Sequence, residues 1–257
     1  MNIEIDGLNI NYRDEGEGDV VVLLHGWGSN ITLFDGIFTL LTPKYRVVAP
    51  DMPGAGESDE PREVWGVDEY LDFVYKFIKK MHIERFTVLG HSFGGRVIIK
   101  MANREEMAKY IDKIILVDSA GIRPKRTLAY HVKVKSYKAG KAILSWAPVK
   151  KLFPNALEKY KKGKGSADYN SASDIMKGCL VKVVNEDLTP LLKGIDKETL
   201  LIWGENDDAT PLTDAKIMEK LIPNAGLATI KNAGHYSFID QKFVFEKILA
   251  SYMQVNM

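Results

Sequence analysis

The 257-residue sequence contains a single cysteine, Cys179, which excludes an intrachain disulfide and with it a stapled secreted scaffold. No apolar run nears the roughly 18 residues that a spanning helix requires, so no integral membrane segment is expected. Residues Met1 to Asp6 have neither a basic start nor an apolar core; no secretory leader is read there, and the expected location is cytoplasmic. An excess of one charge is missing too. The net charge of +1 attracts no polyanion, and with no recognisable reading motif in the chain no nucleic-acid partner is expected. The sequence shows no metal-ligand cluster, Walker loop or dinucleotide fingerprint, so neither a metal nor another cofactor is expected. Glycine and proline follow no fixed period, which excludes fibrous repeats.

What is present is a rhythm of short apolar runs. Val20–Leu24, Val47–Ala49, Phe86–Leu89, Ile114–Val117 and Leu200–Trp203 are rich in branched residues and do not alternate with polar ones. That pattern predicts strands buried on both faces of a parallel sheet. Leu227–Ile230 is a further strand candidate. Between the runs lie helical periods: Val67, Leu71, Val74, Ile78 and Met81 fall on one stripe. Thr210-Pro211 reads as an N-cap followed by proline at the first helical position. The alternating Ile3–Ile5 and Leu8–Tyr12 read as an antiparallel hairpin at the sheet edge. Together these predict an α/β protein with a doubly wound sheet.

The rhythm breaks after Gly121. Residues 121 to 165 hold thirteen Lys or Arg against one acid, Glu158, so the rest of the chain is net acidic. A segment so unlike its flanks reads as an insertion over the sheet. A solvated lysine face is its simplest explanation. Steering of an anionic substrate, an acidic carrier protein or an anionic membrane surface is the alternative, and it predicts loss of activity with rising salt.

Gly90-His91-Ser92-Phe93-Gly94 fits G-x-S-x-G, with a buried-strand run before it and a helical pattern after it. In such an elbow the serine sits at a strained backbone angle. Its hydroxyl stands at a helix N-terminus, where free N–H groups favour developing negative charge. A serine needs a base. Of five histidines, His82 reads as solvated at a helix end and His131 lies in the basic insertion. His91 adjoins the serine but is turned away from it. His235 follows the last strand candidate on a loop at the C-terminal edge of the sheet, where α/β sites form, and is the best base. The base needs a carboxylate. Asp207 and Asp208 follow the run ending at Gly204, and Asp118 ends another strand; Asp51 heads a glycine-rich turn and reads as structural. His25-Gly26-Trp27-Gly28 allows close backbone approach, so the Trp27 and Phe93 N–H groups are candidates for an oxyanion hole.

Taken together, Leu24–Gly28, Asp51–Ser58, Gly90–Gly95, Trp203–Asp207 and Ala233–His235 resemble the landmarks of the α/β-hydrolase superfamily, in its cap-bearing serine hydrolase branch. The resemblance runs over nearly the whole chain and includes the order Ser92, acid, His235. It implies a mostly parallel eight-stranded sheet, with residues 1–120 and 191–257 as core and 121–190 as an inserted helical cap. Its G-E-x-D pattern selects Asp207 over Asp208. The expected activity is hydrolysis of a small-molecule carboxylic ester by a monomer or homodimer. Cleavage of C–C bonds in meta-cleavage products, an ester on a carrier protein, and a hydrolase-fold receptor are the rivals. Tyr130, Tyr137, Leu144, Trp146, Phe153 and Tyr236 are the candidates for contact with substrate. Ser92 argues against haloalkane dehalogenases and epoxide hydrolases, which place aspartate there.

Overall fold

The computed structural model describes the chain apart from residues 124–135, 137–138, 141, 154, 157–171 and 257. Every expected strand forms, and they join in one eight-stranded sheet. The strands are β1 (Asn2–Ile5), β2 (Leu8–Glu15), β3 (Val20–Leu24), β4 (Arg46–Pro50), β5 (Phe86–His91), β6 (Ile111–Val117), β7 (Glu198–Gly204) and β8 (Ala225–Ile230). Their order across the sheet is β1-β2-β4-β3-β5-β6-β7-β8. β1 and β2 form the predicted edge hairpin, β2 runs antiparallel to β4, and the remaining pairings are parallel. The branched runs occupy the centre: Val21–Leu24, Val88, Leu89 and Ile114–Val117 have no exposed surface. β8 is the far edge and is only partly covered: Ile230 alone is buried, and Gly226 and Thr229 are exposed.

Among the described residues, the helices of seven or more residues are α1 (Asp35–Leu41), α2 (Val67–Lys80), α3 (Phe93–Ala102), α4 (Asp174–Asn185), α5 (Leu212–Leu221) and α6 (Lys242–Met253). The predicted stripe of α2 is buried from Val67 to Ile78, joined by Tyr70, Phe73 and Phe77. The glycine that opens α2, Gly66, donates its N–H to Glu69 of the first turn. At α5 the expectation needs correction. The helix starts at Leu212, Pro211 stands at its cap, and the Thr210 hydroxyl turns away from the helix toward Asp207 and the Asp118 carbonyl. Two buried acceptors outbid the free N–H groups of the helix end, which solvent can satisfy.

The chain divides into two compact units, Met1–Arg123 with Gly178–Met257, and Pro124–Lys177. Of the span 121–190 expected as an insertion, Pro124–Lys177 makes up the smaller unit, and residues from Gly178 on are tied to the sheet unit. Cys179 is buried and its Sγ accepts the Trp65 N–H, Arg96 donates to the Glu186 carbonyl, and the Leu188 N–H donates to the Gly121 carbonyl. No helix among the described residues is long and apolar enough to cross a membrane.

Candidate active site

Ser92 stands between β5 and α3 with φ 49° and ψ −108°. No L-residue rests easily there, and the surroundings hold it. Its N–H donates to the Val117 carbonyl of β6, while its own carbonyl receives the Gly95 and Ala120 N–H groups. Glycine is required on both sides of it. A Cβ at Gly90 would come within 2.7 Å of the Gly94 carbonyl carbon, and one at Gly94 would run into the Leu24 carbonyl oxygen of β3. The serine is thereby fixed above the C-terminal edge of the sheet.

Three of the expected residues meet there. His235 Nε2 lies 3.0 Å from Ser92 Oγ, and His235 Nδ1 lies 2.9 Å from Asp207 Oδ2. A carboxylate facing Nδ1 assigns the ring proton to that nitrogen, leaving the Nε2 lone pair for the serine hydroxyl. Asp207 has no exposed side-chain surface. Burial pushes its pKa up, but hydrogen bonds from His235 and Thr210 outweigh burial and hold it below the usual carboxylate range. Its Oδ1 accepts the Ala209 and Thr210 N–H groups, and its Oδ2 accepts the Thr210 hydroxyl at 2.7 Å. Of the doublet, Asp207 faces the histidine and Asp208 is exposed.

Asp118, the other candidate acid, does not reach His235. It is fully buried at φ 45° after β6 and accepts the Gly204 N–H on Oδ1 and the Ser237 N–H and hydroxyl on Oδ2. It therefore clamps together the two loops that carry Asp207 and His235. Burial drives its pKa up to about 7, against hydrogen bonds from Ser237 and Gly204 that favour the anion.

His91 is turned away from the serine, but it is not idle. Its Nε2–H donates to the His235 carbonyl at 2.8 Å, and the two rings lie 4.9 Å apart. Its Nδ1 is buried with no hydrogen-bond partner among the described residues and sits against Gly26, where a Cβ would come within 2.8 Å of it. This wedge explains the glycine of the His25-Gly26 turn. Burial, then the neighbouring His235, lowers the His91 pKa to about 3. An unfolded imidazole takes a proton below about 6.5, whereas the folded one stays neutral until about 3, so this contribution to stability is present above 6.5 and lost as pH falls. At pH 5 the expected loss from His91 is about 2 kcal/mol. Urea unfolding at pH 7 and pH 5 tests it: the His91→Gln protein should lose about 2 kcal/mol less than wild type, and equal losses would remove His91 as the cause.

Of the two expected oxyanion donors, Phe93 directly follows Ser92 and Trp27 directly follows Gly26. The Gly26 backbone abuts Ser92 (a Cβ there would lie 3.3 Å from Ser92 Cβ), and the Trp27 and Phe93 rings meet edge-on at 5.4 Å. Neither N–H donates to another described residue. The fully buried His25 shapes this turn by donating Nδ1–H to the Gly26 carbonyl and accepting the Met52 N–H on Nε2. Asp51 is structural, as expected, and accepts the Ile31 and Glu57 N–H groups and the Asn11 amide.

The expected substrate-contact residues divide. Tyr236 stands beside the site, its ring 5.5 Å from that of His235. Leu144, Trp146 and Phe153 belong to the smaller unit, the last two mostly exposed, and Tyr130 and Tyr137 lie outside the described residues. Thr210 and Ser237 were not foreseen as parts of this network. Thr210 sits three residues beyond Asp207 and Ser237 two beyond His235, the only local signal either carries.

Residues 19–137 match the family described as alpha/beta hydrolase fold, and residues 170–255 the family described as TAP-like protein. The chain belongs to the α/β-hydrolase superfamily. Among its curated relatives in this superfamily, the AB hydrolase superfamily protein YisY of Bacillus subtilis is 26% identical, with 93% of each chain covered. The 2-hydroxy-6-oxo-2,4-heptadienoate hydrolase of Pseudomonas putida is 23% identical over 96% of this chain and 93% of its own. The solved esterase EaEST of Exiguobacterium antarcticum shares the fold at a TM-score of 0.76, with 24% identity and 97% of both chains covered.

Proposed function

We propose that this α/β-hydrolase cleaves carboxylic esters through an acyl-enzyme on Ser92. The observation that carries the reading is the unbroken relay Ser92 Oγ, His235, Asp207, with contacts of 3.0 and 2.9 Å. His235 Nε2 takes the hydroxyl proton as Oγ attacks the ester carbonyl, and Asp207 stabilises the imidazolium that forms. The Trp27 and Phe93 N–H groups hold the oxyanion, a donor of this kind lowering the barrier by about 3–4 kcal/mol. His235 then protonates the departing alcohol and activates a water that releases the acid. The chemistry calls for no cofactor. A second reading, hydrolysis of a C–C bond in a vinylogous diketone, is favoured by the likeness to the Pseudomonas putida hydrolase and uses the same three residues.

The test is initial rate on p-nitrophenyl esters from acetate to long acyl chains, with fluorophosphonate labelling alongside. Turnover with a chain-length optimum is expected. Labelling of Ser92 without ester turnover would move C–C cleavage or a carrier-linked ester to the front. Neither turnover nor labelling would leave the receptor reading in place.

A further inference from the structure

The smaller unit, Pro124–Lys177, holds the most exposed run of large apolar side chains among the described residues. Ile143, Trp146, Leu152 and Phe153 are 61%, 66%, 74% and 61% exposed. They lie within eleven residues, on the turn that ends at Trp146 and on the short helix Ala147–Leu152, whose C-cap is Phe153. Single exposed apolar residues are ordinary on any surface, but four large ones this close in sequence are not.

The same stretch is cationic without relief. Residues 121–157 contain nine Lys or Arg and no acid, and in the sequence Lys150 and Lys151 stand between Trp146 and Leu152. Water suits the lysines and penalises the tryptophan, leucine and phenylalanine. A second copy of this unit would bring like charge against like. Nucleic acid would match the lysines and leave the aliphatic side chains unused. A phospholipid surface bearing anionic headgroups satisfies both: its headgroup layer takes the lysines and the acyl boundary takes the apolar side chains, with tryptophan at the interface between them.

We infer that residues 143–153 are a docking element for anionic membrane surfaces. The contact is peripheral and reversible, since a single short amphipathic patch adds one weak anchor. It does not depend on the proposed ester chemistry, and the Ser92→Ala protein is expected to dock as the wild type does.

The experiment is co-sedimentation of the full chain with vesicles of phosphatidylcholine alone and of phosphatidylcholine with about 30% phosphatidylglycerol, read with tryptophan emission. Of the four tryptophans, Trp203 is buried and Trp27 and Trp65 are partly covered, so a blue shift on binding reports chiefly on Trp146. The expected result is binding to the anionic vesicles at least about tenfold tighter than to the neutral ones, weakened at least about tenfold by 0.5 M NaCl. The double variant Trp146→Ser/Leu152→Ser and the charge variant Lys150→Glu/Lys151→Glu should each weaken binding about tenfold or more while melting at the wild-type temperature. A variant that melts lower is replaced by Phe153→Ser alone, judged by the same criterion. Equal binding to both vesicle types, no binding, or binding that survives these substitutions would overturn the inference. So would a salt-sensitive complex with a soluble acidic protein in the absence of any vesicle binding.

Discussion

Replacing Ser92 with alanine is expected to lower kcat for an aryl ester by about 10⁵–10⁶-fold while KM moves less than about threefold. The size follows from what remains. The Trp27 and Phe93 N–H groups and the histidine would still surround the carbonyl, but no oxygen would stand 3.0 Å from His235 Nε2 to be deprotonated. Residual turnover of about 10³-fold over water is what oxyanion stabilisation and binding alone supply. The same position yields a stability result of opposite sign. Ser92 is held at φ 49°, ψ −108°, where a side chain costs about 1–3 kcal/mol and glycine costs little. After about 0.5–1 kcal/mol is subtracted for the freedom glycine adds to the unfolded chain, Ser92→Gly should be about 1 kcal/mol more stable than Ser92→Ala. That difference is a Tm about 3 °C higher. Activity above about 1% of wild type in Ser92→Ala would remove Ser92 as nucleophile. A lower Tm for Ser92→Gly than for Ser92→Ala would remove the claim of strain.

What could be read from the sequence follows a physical division. The central strands were legible because burial on both faces leaves a one-dimensional mark, a run of branched residues, that needs no knowledge of partners. Ser92 was legible because its elbow is local: the glycines at 90 and 94 are demanded by backbone within reach of the turn and by the neighbouring β3. The supporting network was not. Thr210 reads locally as a helix cap, and only the return of Asp118 from β6 and of Asp207 from the β7 loop makes its hydroxyl a bridge between them. His91 adjoins the serine in sequence, yet its role is set by the carbonyl of a residue 144 positions away. The far limit of the insertion, 190, comes from the resemblance and not from the lysine-rich stretch, which stops at 165; burial such as that of Cys179 within the sheet unit, just past Lys177, leaves no such mark in composition.

Asp207→Asn is expected to cost about 10⁴-fold in kcat, and the hydrogen bonds say why an isostere does so much damage. Oδ1 accepts two backbone N–H groups, from Ala209 and Thr210, so the amide oxygen must take that side. The amide nitrogen then faces His235 Nδ1 and presents a donor to a donor. Relief comes when the ring moves its proton to Nε2, which faces Ser92 and can no longer accept the hydroxyl proton. Asp118→Asn has a different outcome. The amide oxygen stays on the Ser237 side, where two donors point, and the mismatch falls on the single Gly204 N–H. Its cost is about 2 kcal/mol of stability, and kcat falls only about tenfold because the loop bearing His235 keeps its anchor. Asp208 is exposed and has no contact with His235, so Asp208→Asn should stay within about twofold of wild type in both respects. The measurement is kcat and urea stability for the three variants on one ester at fixed pH. The ranking carries the test: a loss below about 100-fold at Asp207, or a larger loss at Asp118 than at Asp207, would transfer the acid role away from Asp207.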